Sequence, residues 1–253
     1  PWERATIHVS THGFLYGTAV FEGVRAYWDE KTKRLNVFEL DAHSKRLERN
    51  AKLMGLSNTP DWKTLREWQL YVIACNDFHS DVYLRPVIYY GEGGIGIFPK
   101  TQAQKTLIMA VPMGSYFGKD SLTVKVSSWF RIPGSVIPPM AKVNGGYVNS
   151  YLAAKEARDA GFDDAIMLNS RGYVSEGSGA NVFVVKDGVL LTPGYSNDIL
   201  DGVTRVHVMR LAKDLGIPVE VRTIARGELY TADEMFFSGT GVEISPIGKV
   251  DHV

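Results

Sequence analysis

Long apolar runs are missing from this 253-residue chain. No stretch reaches the ~18 residues that a membrane-crossing helix needs. Net charge is missing too, because Lys plus Arg and Asp plus Glu each total 28. Nucleic acid or an anionic membrane as main partner calls for a basic surplus, so neither is expected. Cysteine is nearly absent, with Cys75 alone. That excludes an internal disulfide, and its apolar helical setting predicts a buried thiol in a reducing, cytoplasmic compartment. The six histidines form no ligand cluster. His8 and His12 stand four apart, but their stretch reads as strand then turn, without the carboxylate or cysteine that would complete a zinc site. No serine sits in a G-x-S-x-G elbow. No repeat, low-complexity tract or signal peptide is visible. The chain opens at Pro1 and stops at Asp251-His252-Val253, which predicts trimmed or disordered ends.

What is present reads as a mixed α/β (α+β) chain long enough for two cores. Strands are predicted at Ala5–Val9, Val24–Trp28, Leu35–Phe38, Val82–Tyr90 and Thr106–Val111. One helix is predicted from Asp41 to Gly55, with His43, Leu47, Ala51 and Met54 inward and Arg46 at the edge of that face. A second starts after Pro60-Asp61, with Leu65, Trp68 and Val72 on one side. Pro112–Gly118 breaks the pattern as a linker. Beyond it come strand Leu122–Ser127, a helix from Tyr147 to Gly161, and a hairpin of Ala165–Leu168 with Tyr173–Ser175. Val182–Lys186 and Val189–Leu191 flank the Asp187-Gly188 turn. A helix from Thr204 to Gly216 and strands Val219–Arg222 and Glu234–Phe237 complete the pattern. The expected organisation is a small α/β domain over 1–111, a loop over 112–119, and a larger barrel-like domain over 120–253.

Gly91-Glu92-Gly93-Gly94-Ile95-Gly96 follows a strand and matches G-x-G-x-x-G. A dinucleotide site also needs a helix to open there, and Ile97-Phe98-Pro99 does not begin one. A loop that brings backbone close to a ligand is the better reading.

Lys142 carries the chemistry. It lies in Pro138-Pro139-Met140-Ala141-Lys142-Val143-Asn144-Gly145-Gly146-Tyr147, among apolar and small neighbours rather than charges. A lysine in apolar surroundings loses its proton more readily, and a neutral amine attacks carbonyl carbons to form Schiff bases. If the carbonyl belongs to pyridoxal phosphate, three parts of that cofactor each want a partner. The phosphate wants a helix N-terminus and an arginine, which Asp201-Gly202-Val203-Thr204 and Arg46 can supply. The pyridine nitrogen wants a carboxylate, and Glu176 is the one acid in the Gly- and Ser-rich turn of Tyr173-Val174-Ser175-Glu176-Gly177-Ser178-Gly179-Ala180-Asn181. The ring hydroxyl wants a phenol, and Tyr147 follows five residues after the lysine.

These pieces occur in a set order: Tyr16-Gly17-Thr18-Ala19-Val20-Phe21-Glu22-Gly23, the Lys142 segment, the Glu176 turn, Asp201–Arg205 and Ser238-Gly239-Thr240-Gly241. Over nearly its whole length the chain resembles the class IV (fold type IV) pyridoxal-phosphate aminotransferases, and among them the branched-chain amino acid aminotransferases. The resemblance implies that Lys142 forms the Schiff base with pyridoxal 5'-phosphate. It implies that Arg46, the Val203 amide, Thr204 and Thr240 hold the phosphate, with Gly179 and Gly239 lining the cofactor. Tyr147 then meets the ring hydroxyl and Glu176 the pyridinium. Substrate contacts are implied for Tyr16, Phe21, Tyr83, Arg85, Ile95, Ile97, Tyr116 and Gly241. Tyr83 and Arg85 alternate on one strand and share a side; Arg85 is expected to receive the distal carboxylate of glutamate. Ile95, Ile97 and Tyr16 are expected to reach the other subunit of a homodimer. The implied reaction is amino-group exchange between Leu, Ile or Val and 2-oxoglutarate. The same-fold alternatives are an aminodeoxychorismate lyase and a D-amino-acid or (R)-amine aminotransferase. Met113 stands where many relatives carry Trp, and Ala180 where an acid is common before Asn181.

Overall fold

The computed structural model describes residues 2–99 and 103–253. They fold as two compact units: Pro1–Gly114 with Lys142–Gly145, and Ser115–Ala141 with Gly146–Val253.

The first unit is built on β4 (Val82–Tyr90), whose residues alternate between buried and half-buried. Val82, Leu84, Pro86 and Ile88 point to the core, while Tyr83 and Arg85 point to the opposite face. That is the two-residue period of a strand with two different surroundings. β5 (Gln104–Pro112) pairs antiparallel along the full length of one edge of β4. The other edge is shared. β2 (Val24–Asp29) pairs with Val82–Leu84, and β1 (Ala19–Phe21) pairs with Val87–Tyr89. Between them the Glu22-Gly23 corner sits opposite Arg85 and Pro86, with Glu22 N–H donating to the Pro86 carbonyl at 3.0 Å. β3 (Arg34–Val37) extends the sheet beyond β2.

Two helices belong to the same unit. α2 (Leu40–Leu53) buries Leu40, His43, Ser44, Arg46, Leu47, Asn50 and Ala51, so its inward stripe is wider and more polar than the apolar period predicts. α3 (Trp62–Ala74) starts where Asp61 caps it, accepting Thr64 N–H at 2.8 Å. Its buried stripe is Leu65 and Gln69, and Trp68 faces outward. Cys75 ends this helix and is exposed, contrary to the buried thiol expected. The residue lies on the outward side at the helix end, where the apolar spacing of α3 no longer decides its environment.

The N-terminal residues also depart from the expected strand. Ala5–Val9 forms no strand, and His12–Tyr16 is a short helix, α1, closed by Gly17 in the left-handed region (φ 69°). Residues 5–9 find no partner strand; alternation alone does not make a ladder.

The second unit is an eight-stranded sheet curled into a half-barrel. Its strands are β6 (Leu122–Val126), β7 (Asp164–Leu168), β8 (Val174–Gly177), β9 (Asn181–Lys186), β10 (Val189–Thr192), β11 (Val219–Val221), β12 (Glu234–Gly239) and β13 (Glu243–Val250). Their order across the sheet is β11-β10-β9-β12-β13-β6-β7-β8. β7 is buried at every position. Ile166 and Leu168 enter the main core with Val124, Val182 and Phe237, while Ala165 and Met167 pack on Ala153 and Ala157 of α4 (Tyr147–Asp159). A strand covered on both faces reads as an apolar run rather than an alternation. β6 and β7 are parallel, which requires a crossover, and residues 127–163 with α4 provide it. β10 and β11 are likewise parallel, joined across α5 (Val203–Asp214). β13 was hidden from the sequence by Pro246 and Gly248, which weaken a strand pattern. The C-terminal residues are ordered by a turn in which Val253 N–H donates to the Val250 carbonyl at 3.0 Å. Among the described residues no helix is long and apolar enough to cross a membrane.

Candidate active site

In the first unit, Lys142 is held by its backbone from two directions. Phe21 N–H donates to the Lys142 carbonyl at 3.1 Å, and Val20 and Val143 form an antiparallel bridge. With its amide oriented to satisfy both neighbours, Asn50 on α2 accepts Lys142 N–H at 3.1 Å and donates to the Arg46 carbonyl at 3.2 Å. Gly17 meets Gly145 so closely that a β-carbon on Gly17 would lie 2.7 Å from the Gly145 α-carbon. The side chain of Lys142 is half-buried, with Nζ over the Phe21 ring at 4.9 Å from its centroid.

Phe21 also carries Arg85. The Arg85 guanidinium lies 4.5 Å from the Phe21 centroid and 5.2 Å from that of Tyr83, and its Nη2 donates to the Tyr83 hydroxyl at 2.9 Å. Tyr83 and Arg85 thus share one side, as the strand period predicts. Arg85 Nε is a buried donor with no hydrogen-bond partner, and an unpaired buried donor of this kind is suited to an anionic ligand group.

Arg46 lies inside rather than at an edge, 7% exposed. Its Nε donates to Glu22 Oε1 at 2.5 Å and its Nη2 to Glu22 Oε2 at 2.7 Å. His43, one turn earlier, donates from Nδ1 to Glu22 Oε2 at 2.8 Å, since a carboxylate only accepts. Burial raises the pKa of Glu22, but Arg46 and His43 outweigh it and hold the carboxyl well below its ordinary range.

Tyr16 donates its hydroxyl to the Ile95 carbonyl at 2.5 Å, and His12 Nε2 lies 3.1 and 3.0 Å from the Gly96 and Ile97 carbonyls. These bonds fasten the glycine-rich loop to α1. They leave Phe14, Ile95, Ile97 and Phe98 exposed, the last three at 80%, 79% and 81%.

In the second unit, Glu176 is the next-to-last residue of β8 and is buried. Oε1 accepts from Arg131 Nε at 2.9 Å, and Oε2 accepts from Asn181 Nδ2 at 2.9 Å and Leu200 N–H at 3.0 Å. Three donors fix this carboxylate. Asn181 also donates to the Leu200 carbonyl at 3.0 Å and pairs with Ser238 across β9 and β12. It therefore ties the Glu176 turn to the strand that ends at Gly239 and to the stretch entering α5. That helix begins at Val203 after Gly202, with no side-chain cap on its first turn, and Thr204 is half-buried there. Uncapped N–H groups of a twelve-residue helix attract anions. Ser238 Oγ, at the start of Ser238-Gly239-Thr240-Gly241, is buried with no partner. Tyr116 lies beside Gly241, where a β-carbon would be 3.9 Å from its Cδ2. A β-carbon on Gly179 would meet nothing within 4 Å, and Tyr147 opens α4 half-buried.

Taken singly, each unit holds donors that suit part of a phosphorylated pyridine aldehyde and its substrate: the first an amine and an arginine with a buried unpaired N–H, the second a fixed buried carboxylate, an uncapped helix start and a buried hydroxyl without a partner. Glu22, Asn50, Arg131 and Asn181 escaped the sequence reading. The signal was available for two of them. Glu22 stands between Phe21 and Gly23-Val24, and Arg131 between Phe130 and Ile132-Pro133. A charge inside an apolar stretch is seldom buried without a partner.

The family model for amino-transferase class IV matches residues 19–250. The branched-chain-amino-acid aminotransferase of Escherichia coli (strain K12) is 41% identical over 100% of this chain and 82% of its own length. The crystal structure of a branched-chain aminotransferase from Thermoproteus uzoniensis with norvaline superimposes with a TM-score of 0.95 and 43% identity, covering 98% of this chain and 83% of that one. That of the enzyme from Thermobaculum terrenum in its PLP form gives 0.93 and 37%, covering 99% and 82%. With the family model matched over residues 19–250, a relative 41% identical over the whole of this chain, and a half-barrel of fold type IV, this chain belongs to the class IV aminotransferases.

Proposed function

We propose that this protein exchanges the amino group of branched-chain L-amino acids with 2-oxoglutarate, using pyridoxal 5'-phosphate. The observation that carries the reading is the Phe21 ring, with the Lys142 amine on it at 4.9 Å and the Arg85 guanidinium at 4.5 Å. One aromatic surface thereby borders both a proton-transferring amine and a cation with an unpaired buried N–H. Such a setting accepts an apolar side chain against the ring and a distal carboxylate against Arg85. The names of the relatives support the same substrate class, and they do not favour the lyase or the D-amino-acid and (R)-amine alternatives.

When bound, the cofactor supplies an aldehyde for the amino group and a ring that takes up the electron pair left at the substrate Cα. Lys142 Nζ would take the proton from the substrate Cα as base and, as acid, give it to the carbon of the cofactor's aldehyde, ending with the proton count it began with. Glu176, fixed by Arg131, Asn181 and Leu200, keeps a proton on the ring nitrogen. Tyr147 donates to the ring hydroxyl. Arg46, the Val203 amide, Thr204 and Thr240 bind the phosphate, and Gly179 and Gly239 let the cofactor approach the backbone. The Thr240-Gly241 turn and Tyr116 receive the α-carboxylate side of the substrate.

The exposed loop around Ile95, Ile97 and Phe98 supports a homodimer in which these residues and Tyr16 reach the other copy's substrate. Three large apolar side chains, each about four-fifths exposed on one loop, are the kind of surface that an interface covers. Equilibrium sedimentation is expected to show a dimer for the wild type and a monomer for Ile95→Asp/Ile97→Asp; a monomeric wild type would refute it. We assign the protein to the cytoplasm, where an exposed lone thiol such as Cys75 stays reduced.

The deciding experiment is a half-reaction. L-Leucine should bleach the yellow colour of the purified enzyme, and 2-oxoglutarate should restore it with release of glutamate. Lys142→Ala should do neither. Colour that survives leucine, or pyruvate released from aminodeoxychorismate, would refute the reading.

A further inference from the structure

We infer that Glu22 is a positioning residue, which sets the direction in which Arg46 meets the cofactor phosphate. The inference rests on the proposed cofactor and on Arg46 as its ligand. Glu22 is wholly buried, and both of its oxygens are spent on Arg46, through Nε at 2.5 Å and Nη2 at 2.7 Å. Those two donors lie on one edge of a rigid planar fork, so gripping them fixes the plane and the heading of the remaining N–H groups. A lone arginine reaches a phosphate with whatever rotamer it adopts; a gripped one presents a single orientation.

The grip is itself anchored. Glu22 occupies the corner between β1 and β2, where its own N–H is tied to Pro86 and the preceding Phe21 N–H to Lys142. His43 also holds Oε2, at 2.8 Å, one turn from Arg46 on the same helix. The same corner therefore aims two residues: Phe21 lies under the amine, and Glu22 lies behind the arginine. Within one buried ion pair, the negative charge also offsets the desolvation of Arg46 before any phosphate arrives.

The test compares wild type, Glu22→Gln, Glu22→Asp and Arg46→Gln as full-length proteins. Each is stripped of cofactor and titrated with pyridoxal phosphate and with pyridoxal, which lacks the phosphate. Both Glu22 variants are expected to bind pyridoxal phosphate about 10- to 100-fold more weakly, the span of a misaligned charged hydrogen bond. Pyridoxal affinity should stay level, and Arg46→Gln should show the same selectivity. Equal losses for both ligands in the Glu22 variants, or none, alongside a selective Arg46→Gln, would overturn the inference alone. A wild type that does not prefer pyridoxal phosphate, or an unselective Arg46→Gln, would overturn the phosphate reading beneath it. If neither Glu22 variant folds, nitrogen NMR of the wild-type holoenzyme decides. Separate, slowly exchanging Nη signals for Arg46 support the grip, and averaged signals overturn it.

Discussion

Asn181 Oδ1 occupies the space beside Gly202, so that a β-carbon added to Gly202 would fall 1.9 Å from it. The glycine is required by this approach, because the amide it faces is the one that orients Glu176 and holds the Leu200 carbonyl. Gly202→Ala is expected to push Asn181 aside at a cost of about 1–3 kcal/mol. Cofactor retention should fall with it. Gly227→Ala, which is exposed and meets nothing within 4 Å, is the matched control. Thermal melts and cofactor absorbance after dialysis check both, and equal behaviour of the two variants would refute the claim.

Gly23 plays a comparable part in the first unit. A methyl group there would lie 2.0 Å from the Tyr83 hydroxyl. The obstacle is the tip of a side chain, so Gly23→Ala should fold with Tyr83 turned away from Arg85. A loss of roughly tenfold in kcat/KM for leucine is expected, about 1.4 kcal/mol of transition-state binding. Unchanged kinetics would place Tyr83 outside the substrate's reach.

Arg85→Ala should separate the two half-reactions. Removing a cation that meets a carboxylate costs about 1.5–3 kcal/mol, or about 10- to 100-fold. That loss should fall on glutamate and 2-oxoglutarate, while leucine and its oxo acid keep most of their rate. Steady-state kcat/KM for both pairs measures it. Equal losses would deny Arg85 its separate role.

Asp164 supplies a pH prediction. It is buried under the Glu176 turn, where it accepts from Ser178 Oγ at 2.6 Å and from Ala165 N–H at 2.8 Å. Burial pushes its pKa above the ordinary 3.8 despite both bonds. A carboxyl whose folded pKa is raised binds more protons in the folded state, so its contribution to stability declines as pH climbs from about 3.8 through the raised value. Asp164→Asn keeps both acceptor bonds and removes the titration. Its unfolding free energy relative to wild type should therefore improve with rising pH over that window. Urea unfolding at several pH values reads the difference, and a difference that is flat or of opposite slope would refute it.

The sequence was legible where a local rule governs. β4 follows from its alternation, α3 from Asp61, and the hairpin of β9 and β10 from Asp187-Gly188. Lys142, Glu176 and Arg46 could be named as candidates from their type and neighbours, and the family from the order of the motifs. What could not be read is pairing across distance. Nothing near Glu22 says that its partners stand 21 and 24 residues later. Nothing near Asn181 says that it faces a glycine on the way into α5. β13 was lost because its proline and glycine oppose strand propensity, and tertiary pairing with β12 and β6 overrides that preference. Cys75 shows the reverse error, since helical spacing was read past the end of the helix.

Lys142–Gly145 counts with the first unit although it lies far along the chain. A nascent polypeptide that has released only its first 114 residues lacks the strip that bridges Val20 and meets Gly17. Synthesis must proceed past residue 145 before that unit is whole, by which time β6 and much of the β6–β7 crossover have also emerged. The amine assigned to chemistry is thus part of the last piece fitted to the scaffold around it, and a fragment cut at the linker would forfeit both together.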